Sequence, residues 1–560
     1  MPRVIRAAMA GVIVMMGFGG IDTACAADST IPGRVSVPYP TTNGIAIEWA
    51  ITGDDDRDGE VGVRYRRVGA AVWSDAMPLQ RVPAATNAGF IWRNKHSGSV
   101  FRLAPDTLYE IELTLDDPDN TMDSAIRTAV RTRAEPGGRA DRPATKRATP
   151  ASLRSILAAA LPGDIIELAA GRYAGFIMGV DGTDSAPIVV RGSSRGGVVV
   201  DGRVSLNKRR YVRLARMTVN GTVTAHGADS FAITGLIVNT AASGIVFRGC
   251  SRRGFVADNR VIGATRWVEA ALGVHGDSIG EGIQFNGPGH VVRNNLVQGF
   301  QDDISFMEGG AAACEQYSID VMYNEIGRAG DDGVEADYCR HNCRILWNRF
   351  TNVFIAMSAQ PSLGGPTYFI GNAVYNSIQG PFKLHNGSRG DVILYNTVVK
   401  NGDALAVYAT APYSGQVLLN NIFIGGPGGR YNGWANGTGR VVYLPALAGA
   451  RIDYNSFGSM SRQYSGQIGA APFAGLAQLG SIAGRDNAFP VDLRIFANPI
   501  QYPHRPLTEY PPQDLRIRRD APVADTALCR PNIRRCDIGS GPDRGAYEAG
   551  AALPVYGPRY

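Results

Sequence analysis

Two stretches of the chain share the pattern that decides the fold, Val321-Met322-Tyr323-Asn324-Glu325-Ile326 and Ile393-Leu394-Tyr395-Asn396-Thr397-Val398. In each, an asparagine separates two short apolar strands. The same pattern recurs at Asn259, Asn295, Asn324, Asn348, Asn372, Asn396, Asn421 and Asn455. The middle members are 24, 24, 24 and 25 residues apart. Such a period, with short strands and no helical periodicity, predicts a parallel β-solenoid whose coils bury their inner faces by stacking.

The asparagine ladder itself is interpreted as structural. An asparagine side chain bonds readily to the backbone in turns, and the residue tolerates the left-handed conformation. Both properties explain its fixed place in each coil. The ladder therefore serves as a ruler for aligning the coils rather than as a candidate site.

Composition narrows the class of protein. The chain has 560 residues, of which 44% are hydrophobic and 19% charged, with 69 glycines and 32 prolines. This mixture indicates a packed, turn-rich protein and excludes a coiled coil or collagen. The net charge of +6 is spread without a dense basic run, so nucleic acid is not an expected partner.

The first 27 residues have the pattern of a secretory signal peptide. Arg3 and Arg6 precede an apolar run, and small residues surround Cys25. No later stretch approaches the ~20 apolar residues of a membrane span, so we expect a secreted or periplasmic protein. Six later cysteines suggest disulfides in an oxidising compartment. Cys529 with Cys536 is the simplest pair, and the partners of the others stay open.

Residues 31–135 are predicted to form a separate β-sandwich. Runs such as 44–49 and 61–65 alternate apolar and polar residues between Asp/Gly turn clusters. The segment 103–110, with Trp49 upstream, resembles the fibronectin type III signature. The resemblance implies a spacer or binding module without catalysis, joined to the rest by a polar linker over 134–149.

The region 148–550 resembles right-handed parallel β-helix proteins of the pectate-lyase-like superfamily. The resemblance rests on a helix-like segment, 152–161, followed by 162–168 and 187–192, and on the closing segment 543–548. The helix-like segment could cap the first open coil. The predicted fold class is therefore all-β, a right-handed parallel β-helix preceded by a small β-sandwich. Because that fold hosts lyases, hydrolases, esterases and adhesins, it does not decide the activity.

Aligning the coils on the ladder predicts which side chains face outward, because strand side chains alternate faces. The expected outward pairs are Gln284/Asn286, Ser305/Met307, Glu335/Asp337, Ala356/Ser358, Lys383/His385 and Ala406/Tyr408. With Asp302, Asp303, Asp331 and Asp332 just before these strands, the alignment predicts a cluster of carboxylates two coils from Lys383 and His385. Like charges at that density need a compensating cation or proton. Either Ca²⁺ or a hydrolytic acid and base pair would meet this need.

The segment 330–335, with Asp303 one coil earlier and 380–384 two coils later, resembles the calcium-dependent β-helix pectate lyases of polysaccharide lyase family nine. The resemblance implies a Ca²⁺ site at Asp303, Asp331, Asp332 and Glu335, with Lys383 as the base that abstracts the proton. Two features depart from the family pattern: Glu335 replaces an aspartate, and His385-Asn386 stands where the family prefers glycines.

We therefore expect a polysaccharide lyase that cleaves an acidic, uronate-containing glycan by Ca²⁺-assisted β-elimination and acts as a monomer. His385 would help or replace Lys383, and Gln360, Tyr408 and Arg248 are candidates for substrate contacts. One alternative is an inverting glycoside hydrolase using two of Asp303, Asp331, Asp332, Glu335 and Asp337. Another is a non-catalytic, glycan-binding surface protein.

Overall fold

The computed structural model describes residues 27–121, 123–137, 141–307, 314–409, 411, 413–446, 448–461, 463–484, 487–536 and 540–560. The predicted signal peptide, 1–27, lies outside these residues apart from its last position. Among the described residues, no helix is long and apolar enough to cross a membrane.

The N-terminal part is an antiparallel β-sandwich. Its strands are β1 (Thr30–Ser36), β2 (Ile45–Gly53), β3 (Glu60–Arg67), β4 (Ser74–Val82), β5 (Ala85–Asn87), β6 (Phe90–Trp92), β7 (Lys95–Val100), β8 (Leu108–Asp116) and β9 (Ser124–Arg131). One half runs in the order β1-β2-β7 and the other β3-β8-β9, and β4 pairs with both. Ile47 and Trp49 from the first half share one core with Val63 and Ile111 from the second.

Residues 146–490 form a parallel β-helix, as predicted. Its strands are β10 (Lys146–Ala148), β11 (Ile165–Leu168), β12 (Gly171–Ile177), β13 (Ile188–Gly192), β14 (Val198–Ser205), β15 (Val212–Ala215), β16 (Thr218–Asn220), β17 (Val223–Thr224), β18 (Ala232–Thr234), β19 (Ile237–Asn239), β20 (Ile245–Phe247), β21 (Phe255–Ala257), β22 (Arg260–Ile262), β23 (Glu281–Phe285), β24 (Val291–Arg293), β25 (Leu296–Gln298), β26 (Asp302–Phe306), β27 (Gln316–Met322), β28 (Glu325–Glu335), β29 (Cys339–Leu346), β30 (Arg349–Ala359), β31 (Leu363–Ile370), β32 (Ala373–Leu384), β33 (Arg389–Leu394), β34 (Thr397–Val399), β35 (Leu405–Ala406), β36 (Val417–Leu419), β37 (Ile422–Gly425), β38 (Arg430–Tyr431), β39 (Trp434–Ala435), β40 (Val442–Leu444), β41 (Arg451–Asp453), β42 (Ser456–Ser459), β43 (Gly466–Ile468), β44 (Ala471–Phe473) and β45 (Phe489–Pro490).

Two parallel sheets form most of the coil walls. One has 13 strands, from β10 to β41, and the other has 17 strands, from β12 to β45. Helix α1 (Leu153–Ala158) buries Leu153 and Leu157 against the first coils, as expected of a cap, and α2 (Leu476–Ala483) packs near the last coils. Short 3-10 turns lie at Glu269–Ala271 and Leu493–Ile495.

The asparagine ladder joins the two sheets from coil to coil. Asn348 is representative: its Nδ2 donates to the Val321 carbonyl at 2.9 Å and to Asn372 Oδ1 at 3.1 Å. Its Oδ1 accepts from the backbone and side-chain amides of Asn324. The left-handed conformation falls on the preceding residue instead, as at Tyr323 and Trp347. The place of the asparagine is therefore explained by the hydrogen bonds of its side chain and not by tolerance of the left-handed conformation.

The register confirms most of the alignment from the sequence. Gln284 pairs with Ser305, and Ser305 pairs with Glu335. The next coil differs, since Glu335 pairs with Ser358, which in turn pairs with Lys383. The expected alignment of Ala356 with Glu335 was therefore two residues out, because both β28 and β30 shift register at the corner before these positions.

The sandwich packs directly on the 13-stranded sheet. Fully buried Arg344 pairs with Asp320 and donates to Ser99 Oγ at 3.1 Å and Thr41 Oγ1 at 3.3 Å. The rings of Phe101 and Tyr368 meet edge to face, with centroids 5.0 Å apart. The sequence leaves a spacer or a binding module open, and this buried interface fixes the module to the coils.

Three disulfides are present among the described residues. Cys529 pairs with Cys536, as expected, and the partners left open by the sequence are Cys250 with Cys314 and Cys339 with Cys343.

Candidate functional site

A groove of about 950 Å³ lies on the outer face of the 17-stranded sheet, where β23, β26, β28, β30 and β32 stack side by side. It brings together residues that the sequence places far apart. The predicted site residues along it are Arg248, Asp331, Glu335, Gln360, Lys383, His385 and Tyr408.

Three carboxylates cluster on the groove floor. One oxygen from each of Asp302, Asp332 and Glu335 lies within 4.8 Å of the others, and all three residues are buried. The Asp332 amide donates to Asp302 Oδ1 at 2.7 Å, and Ser305 Oγ donates to Glu335 Oε2 at 2.9 Å. Strict alternation would put Asp332 and Glu335 on opposite faces. Both nevertheless contribute an oxygen to the cluster, just after β28 shifts register between Ala329 and Asp332.

Lys383 provides the positive charge of the cluster. Its Nζ forms an ion pair with Asp332 Oδ2, and only 11% of its side chain is exposed. Burial lowers the pKa of Lys383, but the carboxylates of Asp332, Asp337, Asp331 and Glu335 outweigh that effect and raise it above its ordinary value. Lys383 is therefore an ammonium group here, whereas a lysine that abstracts a proton must be a free amine, which requires a lowered pKa.

His385 lies two residues further along the chain and also lines the groove. Burial, followed by the charge of Lys383, lowers the pKa of His385 to about 4. The imidazole is thus neutral near pH 7 and can accept a proton. The groove floor therefore holds an ammonium and a neutral imidazole close together.

The pKa values of the buried carboxyl groups shift upward, whereas that of His385 shifts downward. Burial, reinforced by neighbouring carboxylates, raises the pKa of Asp302 and of Glu335 well above their ordinary values. A donor set of three buried carboxylates fits Ca²⁺, which prefers several hard oxygen ligands. Asp302, Asp332 and Glu335 would hold such an ion, with Asp331 close by along the groove.

Two of the predicted acids that lie outside this cluster accept hydrogen bonds from neighbouring coils. Asp303 is buried, and its Oδ2 accepts from the Gly327 amide of the next coil at 3.1 Å. Asp337 Oδ1 accepts from Ser358 Oγ at 2.6 Å and from the Gln360 amide at 2.8 Å. Asp303 thus supports a coil corner, and Asp302, rather than Asp303, contributes an oxygen to the cluster with Asp332 and Glu335. Asp337 fixes the turn that presents Gln360.

The three predicted substrate contacts lie at separate points of the groove. Arg248 stands at the end formed by earlier coils, where its amide donates to His226 Nδ1 at 3.1 Å. Gln360 follows β30. Tyr408 follows β35, and its hydroxyl donates to Asp403 Oδ2 at 3.1 Å.

Two corner insertions that the sequence interpretation missed form one wall of the groove. One is the β38–β39 hairpin with Arg430 and Trp434, and the other surrounds the 3-10 turn Glu269–Ala271. The Asn432 amide donates to Glu269 Oε1 and its Nδ2 to the Leu272 carbonyl, both at 2.8 Å. The sequence does contain a sign of these insertions, because the spacing of the ladder asparagines increases to 36 and 34 residues in the two coils that carry them.

A second buried acid organises the end of the groove formed by later coils. Asp403 is fully buried, and its Oδ1 accepts from the amides of Thr438, Gly439 and Arg440 at 2.9, 3.0 and 2.8 Å. Its Oδ2 accepts from Arg440 Nε at 2.8 Å as well as from Tyr408. Both Arg440 and Tyr408 are thereby held at the groove.

Comparison with known proteins gave distant structural similarities only. No protein-family model matches the chain, and no curated protein gave a significant match. One similar solved structure is a PL6 family alginate lyase, AlyGC, with 13% identity and a TM-score of 0.36 over 56% of this chain and 51% of that one. The match thus spans about half of that protein's length.

Two further solved structures are similar over most of their own length. A mannuronic acid specific polysaccharide family 6 lyase from human gut microbiota has 13% identity and a TM-score of 0.39, over 62% of this chain and 91% of that one. The PL6 family polysaccharide lyase Pedsa3628 from Pseudopedobacter saltans has 12% identity and a TM-score of 0.35, over 62% and 93%. The β-helix of this chain is established by its own parallel sheets.

Proposed function

We propose that this protein is an exported polysaccharide lyase that cleaves a uronate-containing glycan by β-elimination. The observation that carries the proposal is the groove floor itself, where the Lys383 and Asp332 pair adjoins Asp302 and Glu335. The disulfides support export, because such bonds persist in oxidising compartments.

The groove suits an extended acidic chain. It crosses successive coils, which stack ~4.8 Å apart, so several sugar residues of a glycan can lie along it. Arg248, Arg430 and Arg440 line it and can pair with carboxylates of the substrate. The acids of the floor repel the same carboxylates, so substrate binding there requires a compensating cation.

A divalent cation held by Asp302, Asp332 and Glu335 would neutralise the uronate carboxylate and make the C5 proton more acidic. Lys383 and His385 are the groups placed to move protons. In the elimination, the neutral imidazole of His385 takes the C5 proton, and the electrons of that bond form the C4–C5 double bond. The C4–O bond breaks, and its oxygen leaves with a proton from the Lys383 ammonium or from water.

An inverting glycoside hydrolase is the second candidate. The raised pKa values of Asp302 and Glu335 favour it, because a carboxyl group that keeps its proton can protonate a leaving oxygen. A glycan-binding protein without catalysis is the remaining alternative. The three functions can be distinguished by whether the glycan is cleaved and by the ends that cleavage produces.

The test is to incubate the purified protein with calcium and a panel of polyuronates and matched neutral glycans. Ultraviolet absorbance reports unsaturated ends, and a reducing-end assay reports all cleavage. Elimination gives both signals, hydrolysis gives new reducing ends alone, and a binding protein gives neither. Only the first result supports the proposal.

Variants then assign the roles. Lys383→Ala, His385→Ala and Asp302→Asn are each expected to lower kcat by about 10²-fold or more, the range for loss of a positioned acid or base or of an electrostatic group. Asp391→Asn is the matched control, because Asp391 is equally buried but lies outside the groove, bonded to Ser362 and Ser388. Full activity of Lys383→Ala and His385→Ala would contradict the assignment of proton transfer.

A further inference from the structure

The carboxylates that line the groove are confined to the coils before Lys383. They are Glu281, Asp302, Asp331 and Glu335, and Arg248 stands beyond them at the end formed by the earlier coils. Beyond Lys383, the described residues that line the groove carry no carboxylate, and the charged ones are Arg430 and Arg440. An anionic sugar is therefore attracted to this later half without any added cation.

Arg440 is held in one orientation in this half. Asp403 engages the Nε and Nη2 edge of the guanidinium, and the ring of Tyr443 lies 3.7 Å from the guanidinium carbon. Even so, 25% of the side chain remains exposed. A guanidinium fixed on one edge and exposed elsewhere can bind a carboxylate without first losing side-chain entropy.

Asp403 has enough partners to remain satisfied without Arg440. Its Oδ1 accepts three backbone amides of the segment 438–440, and Tyr408 donates to its Oδ2. The ion pair is therefore not required to compensate the buried acid. The contact of Asp403 with Arg440 and Tyr408 therefore serves to orient these two side chains toward the groove.

Trp434 provides an aromatic surface that lines the same groove as Arg440. Its ring packs edge to face on Phe354, with centroids 6.0 Å apart, and it lines the groove while remaining partly exposed. The contacts of Asn432 with Glu269 and Leu272 hold the hairpin that carries it. A fixed, partly exposed indole offers an apolar face to the C–H groups of a sugar ring.

We propose that Arg440 and Trp434 form a binding subsite for one acidic sugar, in which Arg440 pairs with the uronate carboxylate and Trp434 packs against the ring. Asp403 is the positioning residue of this subsite. The inference rests on the proposed function for the nature of the substrate and adds where, and in which half of the groove, its acidic group is recognised. Binding at this subsite is independent of a divalent cation.

The experiment measures binding of the methyl glycoside of a hexuronic acid and of the matching neutral hexose, with a chelator present. Neither compound has a 4-linked sugar to eliminate, so binding is read without turnover, by ligand-observed NMR and tryptophan fluorescence. The wild type is expected to prefer the uronate by about tenfold, the lower range for a charge-assisted hydrogen bond.

Arg440→Gln is expected to remove that preference while retaining the weak binding of the neutral sugar. Trp434→Ala is expected to weaken both ligands alike, and Asp403→Asn to reduce the preference. Arg349→Gln is the matched control, because Arg349 is 24% exposed, pairs with Glu325 and stacks on Tyr556 away from the groove. It is expected to bind as the wild type does.

An unchanged preference in Arg440→Gln would overturn the subsite, as would unchanged affinity in Trp434→Ala. The result is separable from the proposed function. Cleavage of a polyuronate without any preference in the binding assay would reject the subsite and leave the lyase proposal intact. If the protein shows the expected preference but cleaves no polyuronate, the subsite stands and the lyase proposal is rejected.

Discussion

The ammonium of Lys383 is paired with the carboxylate of Asp332, which lies two coils earlier on the same groove floor. Asp332 is fully buried and adjoins two further carboxylates, so the ammonium neutralises part of a strongly negative cluster. A divalent cation bound to the same acids would share this task with Lys383. Stability and cation binding are therefore expected to be linked.

Lys383→Met tests this linkage. Removing one partner of a buried ion pair costs about 3–5 kcal/mol, and we expect a loss of that order in the free energy of unfolding with a chelator present. Calcium should restore part of the loss. The measurement is urea unfolding followed by circular dichroism.

Lys146→Met is the control for that variant, because the pair of Lys146 with Asp164 is more exposed, at 29% and 13% of the two side chains. A loss below about 1 kcal/mol, without a calcium effect, is expected there. Equal behaviour of the two variants would argue against the linkage.

Asn348→Ala tests the ladder. The substitution removes four hydrogen bonds at a fully buried position and leaves the partners on neighbouring coils unsatisfied. We expect the free energy of unfolding to fall by about 3 kcal/mol or more. Asn239→Ala is the matched control, since Asn239 bonds to Asn220 at the exposed surface, and a loss under about 0.5 kcal/mol is expected.

Acidification is expected to destabilise the fold through buried histidines. Burial lowers the pKa of His341 to about 3, below its ordinary value of 6.5. The unfolded chain therefore binds a proton that the folded protein does not between these two values. Stability is full above about pH 6.5 and falls as the pH drops toward 3, by about 1.4 kcal/mol per unit for each such group.

The check is urea unfolding at several pH values between 7 and 4. Burial also lowers the pKa of His96 to about 4 and that of His290 to about 3, so the total slope exceeds that of one group. His341→Gln should reduce the slope by the share of one histidine. A slope unchanged by this variant would show that His341 is protonated in the folded protein.

The sandwich and the β-helix are expected to unfold together. Their interface contains the buried pair of Arg344 and Asp320, together with the packed rings of Phe101 and Tyr368. Calorimetry should show one transition for the intact chain. Ser99→Ala and Thr41→Val together should lower its midpoint by removing two partners of Arg344, whereas two separate transitions would contradict the coupling.

The coils could be predicted from the sequence because two simple periods determine them. The ladder spacing gives the coil length, and the alternation of strand side chains gives the outer face, which correctly aligned Ser305 with Glu335. Both periods fail at the corners. There β28 shifts register, and the sequence alone does not show that Asp302 rather than Asp303 joins Asp332 and Glu335.

The groove wall could not be derived from the repeat, because it consists of residues that the repeat does not contain. Trp434 and Arg430 belong to an insertion in a single coil, and Asn432 contacts Glu269 from another. The effect of neighbouring charges on a pKa could not be predicted from the sequence either. The pKa of Lys383 depends on how many carboxylates surround it, and burial alone would have given the opposite direction.

The meeting of the two insertions at Asn432 has a consequence for how such a protein can change. The stacking of the coils is maintained by the ladder, whereas the corners tolerate extra residues without disturbing it. Exchange of the 428–440 and 266–280 segments would therefore alter the wall of the groove, and with it the ligand that fits there, while the scaffold keeps its architecture. In an engineering programme, diversity introduced at these two corners would explore specificity separately from folding.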